Sequence, residues 1–165
     1  MNMDQIWAPW RLEFIKQEKP QGCIFCLFPA DTKDEANLVL GRSSKSFVML
    51  NKFPYNNGHL MVIPRRHSAD LAALPADEFI DLHRLLQISV AVITEAYQPG
   101  GMNVGMNLGR TAGAGIADHL HYHVVPRWDG DTNFMPVLGE TKVMIEHMKT
   151  SYDRLRPLFD RKLGV

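Results

Sequence analysis

Apolar residues follow two periods along this chain. Short apolar or alternating runs predict strands at 37–40, 46–51, 59–64, 102–107 and 119–125. Pro54-Tyr55-Asn56-Asn57-Gly58 has strong turn chemistry and makes the second and third of these a hairpin. Pro75-Ala76-Asp77-Glu78 opens a helix, with proline early and acids in its first turn. The helix runs to about Tyr97, where Pro99-Gly100-Gly101 stops it. Phe79, Leu82, Leu86, Val90 and Ile93 recur at helical spacing and form its expected buried stripe, with His83 beside them in a structural role. A second helix is expected over 143–160, with Met144, Met148, Tyr152 and Leu155 inward and His147 in a surface or packing role. Strands, one long helix, then strands again imply an α+β fold. That fold is an antiparallel five-stranded sheet flanked by the long helix and the C-terminal helix.

Composition narrows the partners. The 165 residues suit one domain, with residues 1–20 as an N-terminal arm and 140–165 as a C-terminal helical extension. Trp7, Pro9, Trp10, Arg11 and Phe14 make that arm an element packed on the domain or on a partner subunit rather than a free tail. Lys+Arg and Asp+Glu both number 18, so bulk charge attracts neither nucleic acid nor an anionic membrane. No apolar run approaches a membrane span of roughly 18 residues. The start of the chain lacks the pattern of a signal peptide. Two cysteines in such a chain fit a reducing, cytoplasmic setting.

The strongest chemical signal is His119-Leu120-His121-Tyr122-His123-Val124-Val125, which holds three of the seven histidines. On a strand the three imidazoles share one face about 7 Å apart, while Leu120, Tyr122 and Val124 turn to the core. Such a face packs poorly, but it suits metal binding, phosphate binding or proton transfer. Cys23-Ile-Phe-Cys26 admits three readings: a redox pair, half of a zinc site, or two small buried residues. A zinc site needs two more ligands, and His67 with one histidine of the 119–123 run can provide them. The loop Gly109-Arg110-Thr111-Ala112-Gly113-Ala114-Gly115 lets backbone amides approach an anion, or it is a plain connection. Asn103 and Asn107 share a strand face, Asn107 as a donor to a phosphate oxygen and Asn103 as a brace for the sheet. Arg127 is either a holder of an outer phosphate or a surface ion pair, and Trp128 either a stacking surface for a base or rim packing. Arg65 and Arg66 are expected to be solvated or paired.

The run from His119 to Val125 resembles the motif of the histidine-triad superfamily of nucleotide hydrolases and transferases. The resemblance extends over Gly22-Cys-Ile-Phe-Cys26, the 51–67 hairpin and Asn107, and so covers roughly residues 20–134. Trp7-Ala-Pro-Trp-Arg11, Leu50-Asn-Lys-Phe-Pro-Tyr-Asn-Asn-Gly-His59, Ala112-Gly-Ala-Gly115, 125–131 and Asn133-Phe134-Met135-Pro136 are similar to the diadenosine tetraphosphate phosphorylase branch.

This resemblance implies roles position by position. His121 matches the nucleophile that forms a nucleotidyl-imidazole intermediate. His123 matches a phosphate contact, Asn107 a side chain near the α-phosphate, and Asn51 a partner of the ribose hydroxyls. Cys23, Cys26, His67 and His119 match a structural zinc site, with no organic cofactor. Several relatives carry a polar side chain where this chain has Gly115, so its backbone amide must serve there. The implied activity is cleavage of dinucleoside polyphosphates by a nucleotidyl transferase, with inorganic phosphate as acceptor and a homodimer as the assembly. Two alternatives stay open: a hydrolase of dinucleoside polyphosphates or adenosine phosphoramidates, and a zinc-stabilised nucleotide-binding module.

Overall fold

The computed structural model describes residues 22–131 and 146–165. The expected N-terminal arm, Asn133-Phe134-Met135-Pro136 and Met144 lie outside them. The described elements begin with the one-turn helices α1 (Ile24–Leu27) and α2 (Asp34–Asn37). Strands β1 (Val39–Arg42), β2 (Ser46–Leu50) and β3 (Leu60–Pro64) precede the long helix α3 (Ala76–Tyr97). Strands β4 (Gly101–Met106) and β5 (Tyr122–Arg127) and helix α4 (Met148–Leu163) complete the series. The strands form one antiparallel sheet in the order β1-β2-β3-β5-β4. The expected α+β architecture is therefore present. Among the described residues, no helix is long and apolar enough to cross a membrane.

Strand alternation divides the apolar residues between the two faces of the sheet. Leu40, Val48, Leu50, Leu60, Val62 and Val124 pack with Leu82, Leu85, Val92 and Ile93 of α3 and with Tyr152, Leu155 and Phe159 of α4. On the opposite face Val39, Phe47, Met49, Met61 and Ile63 cluster with Phe25 of α1. This second, smaller core seats the cysteine-bearing segment against the sheet. It thereby brings Cys23 and Cys26 beside the histidines.

Three expectations need correction in detail. Asn37 ends α2, and Leu38 takes a left-handed conformation (φ 59°) as its cap, so the first strand starts at Val39. The last strand starts at Tyr122, because the amide of Leu120 donates to the carbonyl of Ser68 at 2.8 Å. The buried stripe of α3 is Leu82, Leu85, Ser89, Val92 and Ile93, while Phe79 is 41% exposed. At 3.6 residues per turn that stripe extrapolates back to Glu78, which leaves Phe79 to one side. Leu86 and Val90 are only partly buried against the core.

The start of α4 is tied to the hairpin loop that precedes β3. Glu146 accepts hydrogen bonds from Tyr97 and Ser151, both at 2.7 Å, and pairs with Arg154. Its amide donates to the Asn57 side chain at 3.4 Å. His147, expected on the surface or in packing, caps α4 by accepting from the amide of Lys149.

Candidate active site

α1 and the chain leading into β5 bring four side chains together. The donor atoms of Cys23, Cys26, His67 and His119 all lie within 4.8 Å of one another. His119 Nδ1 is 3.4 Å from Cys23 Sγ, 3.6 Å from Cys26 Sγ and 3.3 Å from His67 Nδ1, and Cys26 Sγ is 3.4 Å from His67 Nδ1. A tetrahedral zinc ion with Zn–N and Zn–S bonds of about 2.05 and 2.3 Å sets ligand separations of roughly 3.3–3.8 Å. The donor set and spacing therefore fit zinc. His119 Nε2 donates to the carbonyl of Pro64 at 2.8 Å, which leaves the Nδ1 lone pair facing the thiols. Burial holds His119 below the usual histidine range. Burial and the neighbouring Cys23 raise the Cys26 thiol.

His121 follows two residues later and is 4% exposed. Phe25 separates the two rings, with centroids 5.4 Å from His119 and 5.1 Å from His121. The Nδ1 of His121 lies 2.9 Å from the carbonyl of His119. A carbonyl only accepts, so Nδ1 carries the proton and Nε2 the lone pair. Burial lowers the pKa of His121, which favours this neutral form.

His123 belongs to a second chain of hydrogen bonds. The Tyr55 amide donates to His59 Nδ1 at 3.0 Å, and His59 Nε2 lies 2.9 Å from His123 Nδ1. Since His59 accepts at Nδ1, its proton is assigned to Nε2, which donates to His123 Nδ1. The neutral His123 ring then carries its own proton on Nε2. Burial, and secondarily His121, push its pKa down to about 4. The rings of His121 and His123 are 4.9 Å apart. They present an acceptor nitrogen and a donor nitrogen respectively.

Beside them an open cleft of about 400 Å³ is lined by His123, Asn107, Asn103, Arg127 and Tyr55, among others. His121 is not among the described lining residues and is buried beside His123. Arg127 is bonded to Asp131 through two contacts at 2.7 and 2.8 Å and to Asn103 Oδ1 at 2.8 Å. Asn103, expected to cap or brace the sheet, accepts this bond from Arg127 on the neighbouring strand and lines the cleft. Asn51 and Gly115 lie outside the lining: the Asn51 side chain accepts from the Phe53 amide at 2.9 Å, and Gly115 is exposed. Trp128 also lies outside it, with its ring 6.3 Å from that of Tyr97. In the 109–115 loop, the amides of Gly113 and Ala114 bond to the carbonyls of Arg110 and Gly109. Arg66 is paired with Glu78 as expected.

The profile of the HIT domain matches residues 32–130. The chain belongs to the HIT domain family. It is 37% identical over 150 residues to a Mycobacterium tuberculosis protein named AP-4-A phosphorylase, covering 86% of this chain and 77% of that one. It is 32% identical over 105 residues to an adenosine 5′-monophosphoramidase of Schizosaccharomyces pombe, covering 64% and 74%. A Zn-bound histidine triad family protein from Mycobacterium smegmatis has a similar fold, with TM-score 0.66, 24% identity and coverage of 86% and 96%.

In this HIT domain His59 has a chemical role that the strand pattern of 59–64 does not reveal. It is fully buried and is the direct partner of His123. A signal was available: a histidine directly after an Asn-Gly turn and before a wholly apolar strand must find a polar partner when buried. Asp131 was missed as well, since nothing local marks it as the partner of Arg127.

Proposed function

We propose that this HIT protein is a nucleotidyl transferase that cleaves dinucleoside polyphosphates, with inorganic phosphate as the acceptor. The observation that carries the reading is the pair of fixed tautomers: an acceptor nitrogen on His121 beside a donor nitrogen on His123. The 37% identity to a protein named AP-4-A phosphorylase supports the substrate class. In the first step His121 Nε2 attacks an α-phosphorus. A P–N bond forms, the P–O bond to the leaving polyphosphate breaks, and that group departs with the bonding pair. The Nε2–H of His123 and the amide of Asn107 stabilise charge on the phosphoryl oxygens. In the second step a phosphate oxygen attacks, the P–N bond breaks, and a nucleoside diphosphate leaves with His121 neutral again. Asn51 binds the ribose and the Gly115 backbone a phosphate in the same reading. Trp128, whose ring stands 6.3 Å from that of Tyr97 and outside the lining, would have to turn to reach a base.

Cys23, Cys26, His67 and His119 hold a structural zinc ion in this reading, and no step of the reaction passes through it. Two thiols kept as ligands suit a reducing compartment, the cytoplasm. The active form is a homodimer of one-domain chains. β4 supports this as a sheet edge whose Gly101, Asn103, Val104 and Gly105 are exposed in the single chain.

The test is incubation with diadenosine tetraphosphate, with and without inorganic phosphate. ATP and ADP released only when phosphate is present are expected. AMP released at the same rate without phosphate makes water the acceptor and the protein a hydrolase. Binding of nucleotide with no turnover makes it a binding module.

A further inference from the structure

Among the described residues that line the cleft, Arg127 is the one cation, and none is a carboxylate. Its side chain is 43% exposed, yet its guanidinium is gripped by a nearly buried carboxylate: the Asp131 side chain is 9% exposed. Asp131 also accepts from the Trp128 amide at 3.1 Å and from Asn56 Nδ2 at 2.8 Å. Asn56 in turn donates to the carbonyl of Pro126 at 3.1 Å. Asp131 is thus held by the backbone and Asn56 as well as by Arg127, and of the two ion-pair partners the arginine is the more exposed. Arg127 stands four residues beyond His123 on β5, and its guanidinium bonds Asn103, the strand partner of Val125, so it lies outward along the cleft from the His121–His123 pair. It faces whatever extends outward along the cleft from that pair.

Resting on the function proposed above, we propose that Arg127 and Asn103, latched by Asp131, form the subsite for the outer phosphates of the substrate. The guanidinium exchanges from Asp131 to the leaving polyphosphate. In-line displacement brings the acceptor in on the side the leaving group has vacated. The same guanidinium therefore receives the incoming inorganic phosphate. Arg127 acts by binding and positioning and takes no part in bond making. Asp131 sets the threshold: a leaving group must carry enough negative charge, in a fork geometry that arginine matches, to draw the guanidinium away. A small uncharged leaving group gains nothing from this subsite.

Specificity constants for diadenosine tetraphosphate and for adenosine 5′-phosphoramidate, which has no outer phosphate, test the subsite. A charged hydrogen bond contributes an amount equivalent to about 10- to 100-fold in affinity. Arg127→Met is expected to lower the ratio of the two constants by about that factor and to raise KM for phosphate about tenfold. Asp131→Asn keeps an acceptor for Trp128 and Asn56 but releases the guanidinium, and is expected to lower KM for phosphate about threefold or more. Equal losses on both substrates, an unchanged ratio, or a higher KM for phosphate in Asp131→Asn overturns the proposal. A wild-type chain inert toward both substrates sinks the proposed function separately. Titration with inorganic tripolyphosphate then still reads the subsite: binding weakened in Arg127→Met supports it, and unchanged binding overturns it.

Discussion

His119 and His121 stand two residues apart, each with one ring nitrogen bound to a backbone carbonyl, and they present opposite nitrogens. His119 gives Nε2 to Pro64 and turns Nδ1 toward two thiols and His67. His121 gives Nδ1 to the carbonyl of His119 and keeps Nε2 as its acceptor. Both rings are buried, and both have lowered pKa values through desolvation. The contrast lies in the partners: sulfur and nitrogen at metal-ligand spacing on one side, another imidazole and a cleft on the other. A histidine's chemistry is thus set less by its burial than by which nitrogen the backbone occupies.

The contrast can be broken first at His121. His121→Ala is expected to lower turnover at least about 10³-fold and to abolish any trapped nucleotidyl adduct. Metal content in that variant should match wild type, because His119 is untouched. An adduct of normal yield in the variant places the nucleophile elsewhere.

The second break is at the metal cluster. Elemental analysis should give about one zinc per chain, and Cys26→Ser should lose it. Loss of a structural zinc removes several kcal/mol of folding free energy, so the melting temperature should fall by roughly 10 °C. A Cys26→Ser protein that melts with wild type removes the structural assignment.

His59 sharpens the comparison from the other side. His59→Gln removes the ring that fixes the tautomer of His123, and kcat should fall about 10- to 100-fold with zinc retained, as for residues that orient a functional histidine. A wild-type rate in that variant means that His123 needs no such orientation.

The smallest effect is on the pH dependence of stability. Burial pushes His123 from 6.5 down to about 4, and lowers His121 in the same direction. Between these limits the unfolded chain binds more protons than the folded one, so stability rises with pH across that window. The urea midpoint should therefore be lower at pH 5 than at pH 7.5. Equal midpoints at the two pH values contradict the buried neutral imidazoles.

Much of this was legible in the chain itself. β2 and β3 are apolar runs separated by strong turn residues, and their burial on both faces follows from that. α3 announces itself by Pro75, by acids in its first turn and by its period. The histidines of 119–123 and the Cys23/Cys26 pair were visible as types and spacing, and His67 with one histidine of that run as their complement. Phe79 falls off the stripe because the helical period carries the buried face from Leu82 back to Glu78, about a quarter-turn away from it. Phe159, fully buried on α4, lies at the end of the stripe expected there.

What the amino-acid order determined alone is local: periods, turns, and the side-chain chemistry available within a few residues. Only the tertiary structure decided which nitrogen each imidazole presents, that His59 stands behind His123 across 64 positions, and that Asp131 holds Arg127 at the cleft. The physical reason is that tautomers and ion pairs depend on angstrom-scale placement of partners. That placement comes from the register of paired strands and the seating of α1 on the sheet, which no short stretch of chain encodes.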